Sequence, residues 1–146
     1  MNGDSEKLTK YCNDSTYGND GYTDDLTQLL PEDDVATVTN PKWRTPTKME
    51  LEELIALPNE WVTNYNGISG LNGRVFTGNN GNTLFIPVAG YRNSSNIWLV
   101  GTNCSLWSST LYTSSPNGAY ALYFYSGNIL MNSGNRFYGY NVCPVC

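Results

Sequence analysis

From Trp61 onward, apolar and polar residues alternate in short runs broken by Gly and Asn. Before that point, one stretch follows a different period. Between Thr47 and Leu57, the apolar residues Leu51, Leu54 and Ile55 recur at i, i+3 and i+4, which predicts a helix with one apolar face. Thr47-Lys48-Met49-Glu50 has the form of a capping box, and Pro58 ends the element. Glu52 and Glu53 then point to solvent. A second short helix is expected to start within Leu29–Ala36, with Pro31 in its first turn and Glu32, Asp33 and Asp34 as solvated acids at its positive end.

The alternating part reads as strands. Residues 70–78, the turn Asn79-Asn80-Gly81-Asn82 and Thr83–Ile86 predict a hairpin closed by Pro87. Gly90–Cys104 reads as an irregular connection containing Tyr91, Asn93, Asn96 and Trp98. Leu106–Thr110, Ala119–Ser126, Asn128–Asn132 and Tyr140–Val145 are further strands, joined by Pro116-Asn117-Gly118, Ser126-Gly127 and Ser133-Gly134. Residues 1–30, rich in turn formers, read as a loop-rich wrap anchored by Tyr11 and Cys12. Helices first and an antiparallel meander afterwards make one α+β domain over residues 1–146.

Residues 106–146 carry the sharpest pattern. Tyr120, Leu122 and Phe124 share one strand face while Ala121, Tyr123 and Tyr125 share the other. One face can pack and the other can present rings. The stretch has no carboxylate, His or Lys, and its only charge is Arg136. An excess of Tyr, Asn, Ser and Gly is the composition of adaptable contact loops, and also that of an ordinary wet antiparallel sheet.

Charge sharpens the division. Residues 1–60 hold all thirteen acids and five of the eight basic residues, a net −8, whereas residues 61–146 hold only Arg74, Arg92 and Arg136, a net +3. Carboxylate-pair catalysis, glycoside hydrolysis and carboxylate calcium sites therefore have no residues in the second part. With no His in the chain, Ser-His and Cys-His nucleophiles are excluded. No basic stripe for nucleic acid is present. The expectation is a non-enzymatic protein with no cofactor and no metal.

Four cysteines, Cys12, Cys104, Cys143 and Cys146, permit up to two disulfides in pairings that spacing leaves open. The Cys143-Pro-Val-Cys146 ending lacks a following helix and a second metal-ligand pair, which favours structural thiols over a redox or zinc motif. No signal peptide follows Met1 and no apolar run is long enough to span a membrane.

Several motifs also occur in a fixed order: Lys10-Tyr11-Cys12 with Ser15-Thr16-Tyr17-Gly18, Glu32-Asp33-Asp34-Val35-Ala36, Trp43-Arg44-Thr45-Pro46-Thr47 leading into Glu52-Glu53-Leu54-Ile55. Phe85–Arg92, Trp107-Ser108-Ser109-Thr110, Ala119-Tyr120 through Ser126-Gly127, and Asn141–Val145 follow. This order resembles the Fibrobacter succinogenes major paralogous domain family, abundant in surface proteins of gut Bacteroidetes. The resemblance covers most of the chain and implies a C-type lectin-like fold. The family's opening strand has no counterpart before Lys10, and Cys143 stands where the family usually has Arg. The Glu-Pro-Asn, Gln-Pro-Asp and Trp-Asn-Asp motifs of calcium-dependent sugar binding are absent, so the expected binding is calcium-independent.

The pattern is also similar to the variable proteins of diversity-generating retroelements, in which a reverse transcriptase rewrites adenines in a C-terminal repeat. Under that resemblance residues 106–146 are the candidate variable region. Ala119, Tyr120, Leu122, Phe124, Gly127, Arg136, Gly139 and Val142 fit the scaffold. The interleaved positions Tyr112, Ala121, Tyr123, Tyr125, Asn128 and Leu130, then Asn132, Ser133, Asn135, Phe137, Tyr138 and Tyr140, are the ligand-contacting candidates. Trp107 reads as core and Trp98 is undecided.

The expected function is a receptor- or adhesion-type protein, extracellular, at a cell surface or on a phage particle, that binds a protein or glycan ligand on another cell or surface. It is expected neither to bind nucleic acid nor to insert into a membrane. The alternative is an assembly module of a surface protein or pilus that self-associates through a fixed aromatic face.

Overall fold

The spacing at Thr47 does what its chemistry requires. In the computed structural model, which describes residues 7–146, Thr47 Oγ1 accepts the Glu50 N–H at 3.2 Å and Glu50 returns a carboxylate oxygen to the Thr47 N–H at 2.8 Å. This capping box starts helix α2, Lys48–Ala56. Leu51 is buried, Leu54 and Ile55 pack against the core, and Glu52 and Glu53 are exposed. Helix α1, Val35–Thr39, begins later than the sequence pattern suggests. Pro31 lies in a turn outside it, and Asp34 is the N-cap rather than a solvated acid, at 3% exposure.

Among the described residues, eight strands form three antiparallel sheets, an α+β architecture. The first sheet joins β1 (Asn59–Val62), β2 (Gly73–Thr77) and β3 (Thr83–Pro87) in that order. Its β2–β3 hairpin turns through Gly81, whose φ of 80° suits glycine. The second is a hairpin of β4 (Tyr91–Asn93) and β5 (Asn96–Trp98), inside the segment expected to be irregular. Its two-residue loop, Ser94-Ser95, places Ser94 at a φ of 54° without the Gly or Asn that usually announces such a turn.

The third sheet is β6 (Cys104–Leu111), β7 (Gly118–Tyr125) and β8 (Asn128–Asn135). Ser126-Gly127 forms the β7–β8 turn as expected, but β8 runs on through Ser133-Gly134, which does not break it. Tyr140–Val145 is not a strand. It touches neighbouring backbone only at single bridges, Leu106 with Asn141 and Arg44 with Val145. The reason lies in β6, whose outer N–H groups are divided among several segments. Trp107 donates to Asn141, Ser109 to Pro46 and Leu111 to Thr27, each at 2.8–2.9 Å.

The core lies between α2 and the facing sides of the first and third sheets. It comprises Leu51, Phe76, Ile86, Val88, Cys104, Leu106, Leu122 and Phe124. Phe76 meets Phe124 edge to face, with centroids 6.4 Å apart. Tyr11 and Cys12, at 6% and 0% exposure, anchor the N-terminal wrap as expected.

Candidate functional site

Strand register divides the third sheet into two faces. Cys104, Phe124 and Ile129 align across it, as do Leu106, Leu122 and Met131, and these point into the core. The alternate rows, Ser105 with Tyr123 and Leu130, and Trp107 with Ala121 and Asn132, take the opposite face. Tyr125 and Asn128 end that face at the hairpin.

The tail after β8 lies across this outer face. Gly139 exchanges two backbone bonds with Arg92 of β4, at 2.8 and 2.9 Å, and Asn141 Nδ2 donates to the carbonyls of Gly90 and Ser105. Pinned on both sides, residues 137–140 lay their rings over the sheet. Tyr140 packs on Trp107 at 4.3 Å between centroids, Tyr138 lies against Tyr140 at 5.6 Å, and Phe137 meets Tyr138 at 4.6 Å. Tyr91 stands edge-on to both Tyr138 and Tyr140. The Tyr123 hydroxyl donates to the Tyr140 hydroxyl at 2.9 Å.

Gly134 makes this closure fit. A Cβ there would lie 2.4 Å from the Tyr123 hydroxyl and 2.6 Å from a ring carbon of Tyr140. Burial of the two phenols, with the shared hydrogen bond at Tyr140, pushes the Tyr140 pKa well above the ordinary tyrosine value; burial likewise raises Tyr123. Both rings are thus neutral hydrogen-bonding groups at physiological pH.

Eight of the twelve sequence candidates share this face and its rim: Tyr123, Tyr125, Asn128, Leu130, Asn132, Phe137, Tyr138 and Tyr140. Tyr125 and Phe137 are the most open rings, at 44% and 46% exposure. The other four are not part of this exposed surface. Ala121 is on the correct face but 0% exposed, so no ligand touches it in this conformation. Ser133 and Asn135 alternate onto the opposite face. Tyr112 packs edge-on against Tyr120, which in turn lies under the Lys48 ammonium beside α2.

Three residues complete the surface that sequence reasoning missed. Trp107, expected in the core, is half-buried and serves as the stacking base for Tyr140. Tyr91 joins the cluster from a separate sheet, and Trp98, its cross-strand neighbour, is 49% exposed. The period-two alternation of Tyr91-Arg92-Asn93 and Asn96-Ile97-Trp98 about two serines was the available signal.

The electrostatics of this face are simple. Arg74 is buried and donates to Asn59 Oδ1 and the Tyr125 carbonyl, although its Nε has no partner. Arg136, expected to belong to the scaffold, donates to the carbonyls of Lys10, Tyr11 and Pro116. Arg92 is the one exposed charge among residues 61–146.

The four thiols are unpaired. Burial, and next the nearby Cys143, push the Cys104 thiol up to about 12, and burial raises Cys143 too. That is the opposite of an activated thiol. Among the described residues, no group of His, Cys, Asp and Glu is placed to hold a metal ion, and no helix is long and apolar enough to cross a membrane. Comparison with family models, curated proteins and solved structures finds no match to the chain.

Proposed function

We propose that this is a calcium-independent ligand-binding protein of receptor or adhesion type. In this reading a C-type lectin-like scaffold displays a Tyr- and Asn-rich surface, diversified by a retroelement, to a protein or glycan on another cell or surface. The observation that carries the reading is the outer face of β6–β7–β8. There Tyr123, Tyr138, Tyr140 and Phe137 form one contiguous set of rings, with Asn128 and Asn132 beside them and no acid among residues 61–146. Rigid rings supply contact area at low entropic cost, and Asn side chains adapt their hydrogen bonds to the ligand. The core face of the same strands holds the scaffold in place while the outer positions change. The protein works outside the cell, at a bacterial surface or on a phage particle, and performs no catalysis.

The test is the DNA flanking the gene. The expected result is a near-copy of the codons for residues 106–146 that differs only where the copy carries adenine, next to a reverse transcriptase gene. Absence of such a repeat overturns diversification and leaves a fixed surface.

A second reading, an assembly module, is favoured by one observation. Ile97, Trp98, Leu99 and Val100 are consecutive and 47–66% exposed, running from the end of β5 into the turn after it, with Leu99 at a φ of 58°. Sedimentation velocity across a hundredfold range of concentration separates the two readings. A dimer or larger species abolished by Ile97→Asp supports assembly, and a monomer throughout supports the receptor reading.

A further inference from the structure

Beside Trp107, at the other end of the outer sheet face, lies a cavity of about 470 Å³ that the binding face does not use. Its floor is β6 from Trp107 to Leu111 with Ala119 and Val142, and its cover is the wrap at Leu8–Tyr11 and Leu29 together with Val35. The volume falls within the roughly 300–1,000 Å³ of small-molecule sites. Leu8, Leu29, Leu111, Val142 and the Trp107 indole give it an apolar interior.

Four of the charged groups around it differ in what they have left to offer. Lys10 is matched to Asp33 at 2.5 Å and to Glu32 at 3.7 Å, and the Asp33 carboxylate also takes the Tyr11 hydroxyl. Asp34 is saturated by Thr45, Ala36 and Thr37. Arg136 is not matched. Among the described residues its guanidinium makes three bonds, all to neutral carbonyls: Nη1 to Tyr11 at 3.0 Å and Pro116 at 2.9 Å, and Nη2 to Lys10 at 3.2 Å. Among the described residues no carboxylate is hydrogen-bonded to it; its guanidinium lies over the Tyr11 ring at 5.6 Å, and burial holds its pKa below the usual arginine value although Cys12, Tyr11 and the Asp24 carboxylate act at longer range in the other direction. The Nε–H and one Nη2–H remain, and guanidinium donors of this kind suit a carboxylate.

We propose that this cavity binds a small amphipathic monocarboxylate, with the carboxylate on Arg136 and an unbranched apolar body over Trp107, Leu111 and Val142. A charged head would supply the directly hydrogen-bonded counter-ion that Arg136 lacks, nearer than Asp24, and the chain would fill space that is apolar on most sides. The inference does not depend on the aromatic face being a binding surface, because the two share only the Trp107 indole.

Isothermal titration with octanoate and with 1-octanol tests it on the unmodified chain. The expected result is saturable one-to-one octanoate binding, at least about tenfold tighter than octanol, as a charge-assisted hydrogen bond to the head group would give. Arg136→Lys should erase most of that difference. Ala119→Leu fills the floor and Val35→Trp plugs the rim from an exposed position, so either should weaken both ligands. Equal affinity for the two ligands overturns the carboxylate assignment. Unchanged octanoate binding in folded Ala119→Leu or Val35→Trp protein, or no binding at millimolar concentration, overturns the site.

Discussion

Residues 7–60 and 61–146 hold irregular backbone in place by different chemistry. In the first part carboxylates do it. Asp24 accepts the N–H groups of Tyr11, Cys12 and Leu26, Asp34 ties α1 to Thr45, and Glu50 takes both the Thr47 cap and a two-pronged bond from Arg44. The second part has no Asp or Glu. Ladder hydrogen bonds, the Asn141 amide and the Arg74 and Arg136 guanidinia serve instead, over an apolar core. The difference teaches that Asp24, Asp34 and Glu50 are structural fasteners, each tying down backbone of a neighbouring segment. It also predicts that the two parts fail under different insults.

Loss of burial should strike the second part hardest. Phe124, at 1% exposure, bridges the two main sheets through Phe76. Phe124→Ala is expected to cost about 3–5 kcal/mol in urea unfolding. Tyr125→Ala, one residue along but on the open face, should stay within about 0.5 kcal/mol. Equal costs for the two would mean that the faces are not divided as the register places them.

Loss of a fastener comes next. Asp34→Ala would leave the buried Thr45 N–H and hydroxyl and the Ala36 N–H without an acceptor, at an expected cost of about 2–4 kcal/mol. Acid should do the same more gently. Burial alone would raise the Asp34 pKa, but the bonds from Thr45, Ala36 and Thr37 outweigh it and hold the carboxyl below its ordinary value. Arg44 first, and then the Thr47 N–H, bring Glu50 down to about 2. Depressed carboxyl groups contribute stability above their unfolded pKa of roughly 4, and it is lost as pH falls through the folded values. Hydrogen exchange between pH 5 and 2 should therefore show protection fading in α1 and around Asp24 before it fades in β2–β3 and β6–β8. Uniform loss across both parts would break the comparison.

How much of this was legible depended on the range of the interaction. The capping box of α2, the β2–β3 turn at Gly81 and the alternation of Leu122 and Phe124 against Tyr123 and Tyr125 are set within a few residues, so the sequence displays them. Asp34 looked like a solvated helix end because its partner, Thr45, is eleven positions away. Ser133-Gly134 looked like a turn because the demand for glycine at 134 comes from the rings of Tyr123 and Tyr140, which strand pairing alone brings close. The β4–β5 hairpin was hidden by a loop of two serines. Trp107 and Tyr91 join the ring cluster only once three separate segments meet.

Gly134 allows the second part to be probed where it has neither charge nor deep burial. Gly134→Ala keeps the strand but places a methyl group against two ring edges, with an expected cost of about 1–2 kcal/mol. Tm and urea midpoint should both fall while the β-sheet signal persists. A neutral outcome would mean that the tail rings shift freely over the sheet, and the proposed contact surface would then be mobile.

The smallest effect is the most specific. Tyr123→Phe and Tyr140→Phe each remove one hydroxyl of a half-buried pair, and a double-mutant cycle should give a coupling of about 0.5–1.5 kcal/mol. Because both phenols titrate above the ordinary tyrosine range when folded, mainly through burial, their contribution is complete below pH 10 and is lost as pH rises further. The alkaline absorbance titration should show a late-ionising set of tyrosines that also includes Tyr11 and Tyr22, and it should shrink by one in each single variant. Zero coupling with an unchanged titration would mean that the tail does not dock on the sheet in solution, and the ring surface would lose its rigidity. A positive result would give the neutral part of the chain its own fastener, one that fails in base where those of residues 7–60 fail in acid.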